Sequence, residues 1–480
     1  MRIAFAVSEV EDLVKTGGLA DVGKSLPLAL CDMGHDVRIV MPLYKDIGPI
    51  EMKDACPPQC IEYQGRSYHF QVKQSEFHGS TVYFIDHSDY FHREGLYSDE
   101  YDAFVDNGQR FAFFSQAVFH ALNAVEFIPD VIHANDWHTS LIPYFLKHME
   151  NESIKQAFIR CRSVLTIHNA AFQGVFHRQD VPILIGDPAI ERYAHGEYLN
   201  FLQTGLACCD HITTVSPNYA NELLTDLGSH GLSSLLQTRA DAITGVLNGC
   251  DYTQWDPSTD SFIEHNFSSD DLTGKKACKQ ALQEYAKLPE ETDIPLLGMV
   301  CRLTEQKGFG YILPILERLL QHRVQLVIIG TGDPVVVEQL NQLSAAFNTK
   351  FRFIKGFSNK YAHWIEAGSD FFLMPSQFEP CGLNQMYSLA YGTVPVVRAV
   401  GGLKDTVLDL ETHPAESTGF SFQAPQAEAL LNCIRRALLG YHESPEDFRM
   451  MQQRGMQTRF TWHQAAVKYE HLYEGLLDAN

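Results

Sequence analysis

"RIAFAVSEVEDLVKTGGLADVGKSLPLAL", residues 2–30, spans a strand, a loop and a helix, and its reading turns on where the helix begins. The run "GLADVGKS" (18–25) satisfies the phosphate-loop pattern G-x-x-x-x-G-K-[ST] at every specified position. A true phosphate loop keeps its glycines in the loop and its lysine at the helix mouth. Here apolar residues recur at Leu19, Val22, Leu26, Leu30 and Met33, a helical spacing that predicts a helix from about Gly18. Lys24 then falls roughly two turns inside that helix. Lys15, Gly17 and Gly18 sit at its mouth instead, where backbone N–H groups attract an anion. On its own, "KTGG" is either that anion site or a plain loop with a solvated lysine.

The same strand–helix alternation runs through the chain. Short β-branched runs occur at 2–7, 36–41, 81–85, 130–134, 163–168 and 211–216, and again at 295–300, 324–330, 351–354, 370–375 and 394–397. Nearly continuous apolar strands separated by helices predict α/β folding, with parallel sheets covered on both faces. Eleven such strands are too many for one comfortable open sheet, so two doubly wound, Rossmann-like domains are expected. The break falls near "ITGVLNGCDYTQWDP" (243–257), which is followed by a polar stretch of weak periodicity. Such sheets bind ligands beyond the carboxyl ends of their strands, so the site is expected in strand-end loops of both halves.

Composition narrows the partners. The 480 residues carry a formal charge of −22, which repels phosphate backbones and anionic lipid and argues against nucleic acid or a membrane surface. An anionic small molecule must bind where Lys and Arg converge. The apolar run at the N-terminus is too short for a secretory signal, and no window reaches the length of a membrane span. Eleven scattered cysteines, with "CPPQC" (56–60) lacking a matching second pair, suggest free thiols in a reducing cytoplasm.

The polar clusters lie where the strands end. "VIHANDWHTS" (131–140) brings His133, Asp136 and His138; "SVLTIHNAAFQG" (163–174) brings His168, Asn169 and Gln173. Their spacings match no zinc signature, and neutral imidazoles serve well as hydrogen-bond partners of a polyol, so no metal is expected. "MVCRLTEQKGFGYI" (299–312) offers Arg302 and Lys307, a fork and a point charge suited to a diphosphate, or else a solvated loop. "GTGD" (330–333) permits a tight turn. The most specific stretch is "MPSQFEPCGLNQMYSLAYGTVPVVRAVGGLKDTV" (374–407), where Glu379 precedes Cys381, Gly382 and Leu383 at a helix start. Glu379 is either a helix cap or a ligand for sugar hydroxyls, with glycine-flanked amides behind it for phosphate.

In order, "KTGGLADV", "DWH", "TIHNAAFQG", "RLTEQKG", "EPCGLNQ" and "GGLKDTV", closed by "FTWHQAAVKYEHLY" (460–473), resemble the bacterial glycogen synthases and the related starch synthases over almost the whole chain. With no transit-type segment before the first strand, the bacterial glycogen enzymes are the nearer expectation. The resemblance implies the GT-B architecture, two facing Rossmann-like domains with an active-site cleft between them. Residues 1–245, with a C-terminal helix 460–480 returning, would form the acceptor side, and 246–459 the nucleotide-sugar side. It implies transfer of glucose from ADP-glucose to the non-reducing end of an α-1,4-glucan, with retention and with no cofactor. Arg302, Lys307 and the amides of Gly382 and Leu383, next to Cys381, would hold the diphosphate; Lys15, with Gly17 and Gly18, would approach it from the other domain. Glu379, His168, Asp136 and Asn248 would bind glucose hydroxyls, with Tyr97 on the glucose side. Phe357 falls where the family usually places a tyrosine at the adenine. In such enzymes the acceptor attacks from the face the diphosphate leaves and a phosphate oxygen takes its proton, so neither a protein nucleophile nor a metal is required.

Three rivals remain at this stage. A phosphate-loop ATPase needs Lys24 at a helix mouth, which the periodicity denies. Another retaining GT-B enzyme using UDP-glucose would share the diphosphate residues. A non-catalytic glucan-binding relative would be expected to lose Glu379, Arg302 or Lys307, and all three are present.

Overall fold

Continuous apolar strands bury both faces only between two layers of helices, and all eleven expected runs form strands with at least one parallel neighbour. The structure, a computed structural model, describes residues 1–63, 65–99 and 102–479. The chain divides into two compact units, Met1–Gly249 with Trp462–Asn480, and Cys250–Thr461. The bounds expected at 245 and 460 lie a few residues short of these.

In the first unit the strands are β1 (Arg2–Ala6), β2 (Asp36–Pro42), β3 (Lys53–Asp54), β4 (Gln59–Tyr63), β5 (Arg66–Phe77), β6 (Ser80–Asp86), β7 (Val131–Asn135), β8 (Arg162–Ile167), β9 (Val175–His177), β10 (Ala194–His195), β11 (Tyr198–Asn200), β12 (His211–Thr214) and β13 (Ile243–Gly245). The main sheet runs β13-β12-β8-β7-β1-β2-β6-β5-β3, with β4 on β5, while β10-β11-β9 make a small separate sheet. From β13 to β6 every pairing is parallel; β5 then turns back on β6, and β3 and β4 pair antiparallel with β5. The strand reading of the sequence did not include β3–β5, β9–β11, β13 or β19; the half-solvated alternation of β4 and β5 is a weaker signal than a buried run, and the others are two or three residues long.

The second unit contributes β14 (Leu296–Leu303), β15 (Gln325–Gly332), β16 (Phe351–Lys355), β17 (Phe371–Met374), β18 (Val394–Arg398) and β19 (Phe420–Phe422), all parallel in the order β16-β15-β14-β17-β18-β19. Alternate residues enter opposite cores. Leu297, Met299, Leu326, Ile328, Phe371 and Leu373 pack on one face, and Leu296, Val300, Val327, Ile329, Phe372 and Met374 on the other. Period-two side chains and helices on both faces thus account for the sheet. Among the described residues, no helix is long and apolar enough to cross a membrane.

The last helix, Trp462–Asp478, packs on Gly18–Asp32 in the first unit. His35 Nε2 lies 2.9 Å from Glu470, and His133 Nδ1 lies 2.7 Å from the Tyr473 hydroxyl. His133 Nε2 meets Thr166 Oγ1 at 2.5 Å, and burial pushes the imidazole down to about 3. This histidine is therefore a satisfied, neutral core residue. Tyr473→Phe should leave Nδ1 without its partner and lower unfolding free energy by about 1–3 kcal/mol in urea titration, with the native fold retained.

Candidate active site

In an open parallel sheet the loops part where strand order reverses, and that switch point is where a ligand fits. In the first unit the order reverses between β1 and β7, and in the second between β14 and β17. β14 and β17 register only through Leu297–Phe371 and Gly298–Phe372, although β14 continues to Leu303. The polar clusters of the sequence flank both points.

The loop after β1 is organised by a carboxylate that sequence reasoning passed over. Buried Glu9 accepts from the Thr16 N–H at 2.5 Å, the Thr16 hydroxyl at 2.7 Å, the Gly17 N–H at 3.2 Å and the Tyr97 hydroxyl at 2.7 Å. Ser8 Oγ adds a 2.8 Å contact to the same tyrosine oxygen. The Gly17 amide thus donates to Glu9, and so does the Tyr97 hydroxyl, with the tyrosine ring 4.4 Å from that of His138. The only available sequence signal was an acidic residue directly after a buried strand.

The helix begins at Gly18, as the periodicity predicts. A Cβ on Gly23 would lie 2.3 Å from the Glu9 carbonyl oxygen, so this glycine serves close packing of helix on loop. Lys24, about 9 Å along the helix axis from Gly18, reaches back to Asp12 at 2.6 Å and Glu11 at 3.6 Å. The phosphate-loop pattern is thus a packing glycine followed by an ion-paired lysine. Lys15 lies at the helix mouth, its side chain 42% exposed, bound to Glu11 at 2.9 Å and Asp21 at 2.8 Å. Burial works against its charge, but Asp21 and Glu11 outweigh that and hold the ammonium above its usual range.

After β7, Asp136 takes a left-handed backbone conformation (φ 55°). Its Oδ1 accepts the N–H groups of His168 at 2.7 Å and Asn169 at 3.4 Å, joining the ends of β7 and β8. Burial pushes its carboxyl up to about 7, the two amides notwithstanding. His168 Nε2 lies 2.9 Å from Asn135 Oδ1, while the Asn135 amide donates to the Ala6 carbonyl at 3.0 Å. Nε2 therefore carries the proton and Nδ1 offers a lone pair. Burial takes this imidazole down to about 3, so it is neutral at physiological pH. Gln173 instead ties the loop together, donating to the carbonyls of Ala170 and His230 and accepting from Asn200. Asn248 is buried just before the unit boundary.

In the second unit, Lys307 Nζ lies 2.6 Å from Glu379 Oε2, which also accepts from Ser376 Oγ at 2.9 Å. Glu379 is only 7% exposed. The two strand-end loops are joined by the Gln377 N–H on the Gln306 carbonyl at 2.8 Å. They approach so closely that a Cβ on Gly308 would sit 2.1 Å from the Pro375 carbonyl oxygen. From the other side, Gly401 and Gly402 pack on the carbonyls of Glu379 and Cys381, where a Cβ would lie at 1.9 and 2.2 Å. The Gly402 amide also donates to the Glu379 carbonyl at 3.2 Å. The "GG" pair opens the helix Gly401–Thr406 and clamps the Glu379 loop.

Arg302, exposed at the end of β14, accepts from the Thr304 N–H on its carbonyl at 3.0 Å, while its guanidinium has no hydrogen bond or ion pair among the described residues. Gly382 (φ 73°) and Leu383 lead into the short helix Asn384–Ala390, and Asn384 Nδ2 donates to the Val300 carbonyl at 3.0 Å. Buried Cys381 lies between Glu379 and that helix. Phe357 is 73% exposed beyond the end of β16. The structure therefore groups Glu9, Lys15, Gly17, Gly18 and Tyr97, then Asp136 with His168, then Arg302, Lys307, Glu379, Cys381, Gly382 and Leu383.

Two doubly wound units, each with a polar cluster at its switch point, fit the GT-B glycosyltransferase class, and comparison with known proteins gives that class. The starch synthase catalytic domain family matches residues 2–238, and the glycosyl transferases group 1 family matches residues 282–454. The glycogen synthase of Aeromonas salmonicida is 48% identical over 99% of this chain and 98% of its own length. That of Vibrio cholerae is 46% identical over 98% of both. The catalytic domain of starch synthase IV from Arabidopsis thaliana, solved with ADP and acarbose, superposes with a TM-score of 0.89 at 29% identity, covering 99% of each chain. A sucrose-phosphate synthase from Thermosynechococcus elongatus shares the fold, with a TM-score of 0.62 at 18% identity. The chain belongs to the glycogen synthase family.

The Asp136 environment makes a pH prediction. Its carboxyl is raised from an ordinary 3.8 to about 7 in the fold, so the native state binds the extra proton between those values. Its contribution to stability is full below about pH 4 and falls as pH rises through 7. Asp136→Asn keeps the acceptor oxygen and removes the titration. Urea midpoints from pH 4 to 8 should show the wild type losing stability relative to this variant up to about pH 7 and then levelling.

Proposed function

We propose that the chain transfers glucose from ADP-glucose to the non-reducing end of an α-1,4-glucan, with retention at the anomeric carbon. The observation that carries this reading is the second-unit switch point, where an unpaired guanidinium, Arg302, lies in the same strand-end loop as Lys307, the partner of Glu379. A departing diphosphate needs cations held in place before the bond breaks. Arg302 offers a two-pronged contact and Lys307 a point charge. The ammonium that neutralises phosphate also fixes Glu379, whose carboxylate binds glucose hydroxyls. The amides of Gly382 and Leu383 add donors beside buried Cys381. ADP bound to the Arabidopsis starch synthase supports an adenine nucleotide here. Phe357 offers that base a ring face and no hydroxyl.

In the first unit, His168 accepts a sugar hydroxyl through Nδ1, with Asp136 and Asn248 beside it in role. Asp136 also holds the His168 amide, and Lys15 and Gly18 serve the diphosphate. For Lys15 this means exchanging Glu11 and Asp21 for phosphate. The acceptor hydroxyl attacks from the face the diphosphate leaves, and a phosphate oxygen takes its proton, so the protein supplies charge and orientation and no nucleophile. We read the enzyme as cofactor-free, metal-independent and cytoplasmic; eleven free cysteines agree with a reducing compartment.

With glycogen and excess EDTA present, ADP should be released from ADP-glucose far faster than UDP from UDP-glucose. Equal or better turnover with UDP-glucose would overturn the donor, and loss of turnover in EDTA with recovery in Mg²⁺ would overturn metal independence. Lys15→Ala should lower turnover roughly a hundredfold, the scale for losing a preorganised charge on the leaving group. Lys24→Ala should leave turnover near the wild type. The reverse pattern would restore the phosphate-loop assignment.

A further inference from the structure

Glu379 is held on its carboxylate by Lys307 and Ser376 and on its carbonyl by Gly402, but the two residues before Phe378 have another anchor. Arg398, the last residue of β18, donates through one terminal nitrogen to the carbonyls of Gln377 and, at 3.4 Å, Ser376. Its Nε donates to the Gln423 carbonyl at 3.2 Å, beyond β19. The guanidinium pairs with no carboxylate among the described residues. Half-buried Arg398 thus directs its donors to backbone carbonyls, as Arg239 does to those of Leu206, Cys209 and Asp210. Its planar fork holds two consecutive carbonyls and a third from a neighbouring strand end in one fixed geometry.

We infer that Arg398 is a positioning residue for Glu379, fixing the Ser376–Gln377 backbone so that the carboxylate stays aimed at the donor sugar. This rests on the glucosyl-transfer reading above. Ser376 is the pivot, since its carbonyl is held by Arg398 while its hydroxyl bonds Glu379. A shift of the loop therefore moves a direct partner of the carboxylate. Arg398 stands in the sequence directly before "AVGGL", so the end of β18 supplies two clamps on one loop: the arginine on its near side and the glycines on its far side.

The test uses Arg398→Ala and Arg398→Lys in the full chain, each alone and on Glu379→Ala. Arg398→Ala should reduce kcat roughly tenfold or more, with the KM for ADP-glucose changed less than about threefold, because alignment is lost and the diphosphate cations are not. Arg398→Lys should recover part of that kcat, and the Arg398→Ala/Glu379→Ala double variant should be no slower than Glu379→Ala alone. Amide hydrogen exchange across residues 376–379 should quicken in Arg398→Ala and less in Arg398→Lys, a readout that holds whatever the substrate is. Multiplicative losses in the double variant, unchanged kcat, or unchanged exchange would each overturn the inference. Absence of wild-type turnover, with exchange still quickened in Arg398→Ala, would fault the glucosyl-transfer reading and leave Arg398 as anchor of the loop.

Discussion

Everything at the switch point of the second unit depends on backbones that touch. Gly308 lies against the Pro375 carbonyl and Gly401 against the Glu379 carbonyl, at separations no side chain tolerates. Interiors pack at near-crystalline density, so a missing Cβ becomes a fixed distance between two loops. That distance places Lys307 and Glu379 at 2.6 Å and leaves the carboxylate almost closed to solvent. A buried carboxylate so placed is tolerable because its charge has a cation and a hydroxyl beside it.

The switch point of the first unit reaches comparable order through a different device. There a single buried carboxylate, Glu9, gathers a threonine, a glycine amide and a tyrosine around itself. Lys15 stands outside that cluster among Glu11 and Asp21, and Lys24 draws on Glu11 and Asp12. The two lysines share Glu11, and the one at the helix mouth is the more exposed. In a chain carrying −22 formal charges, each of these cations is held by carboxylates beside it.

Much of this was legible in the linear sequence. Buried parallel strands announce themselves as apolar runs, and the eleven found here carry that signal because both faces must be dry. The start of the first helix followed from Leu19, Val22, Leu26 and Leu30, and it sufficed to set Lys24 aside. The antiparallel strands β3–β5 were not legible, since a half-wet strand alternates weakly and depends on cross-strand partners for its stability. Glu9 was not legible either. A lone acid after a strand gives no local sign that four donors converge on it.

The sequence alone determined the eleven buried strands, the phase of the first helix, the two-unit division and the residue types at the strand ends, because local period and composition carry those properties. Only the tertiary structure decided what each polar group does. It made His133 a neutral core partner of Tyr473, turned Asp136 into a tie between two strand ends, gave Gly17 and Tyr97 to Glu9, and made the glycines of "GKS" and "GGL" into contacts. Those roles depend on which distant backbone or side chain comes within about 3 Å, and spacing along a chain does not encode that distance until strand order and packing have set it.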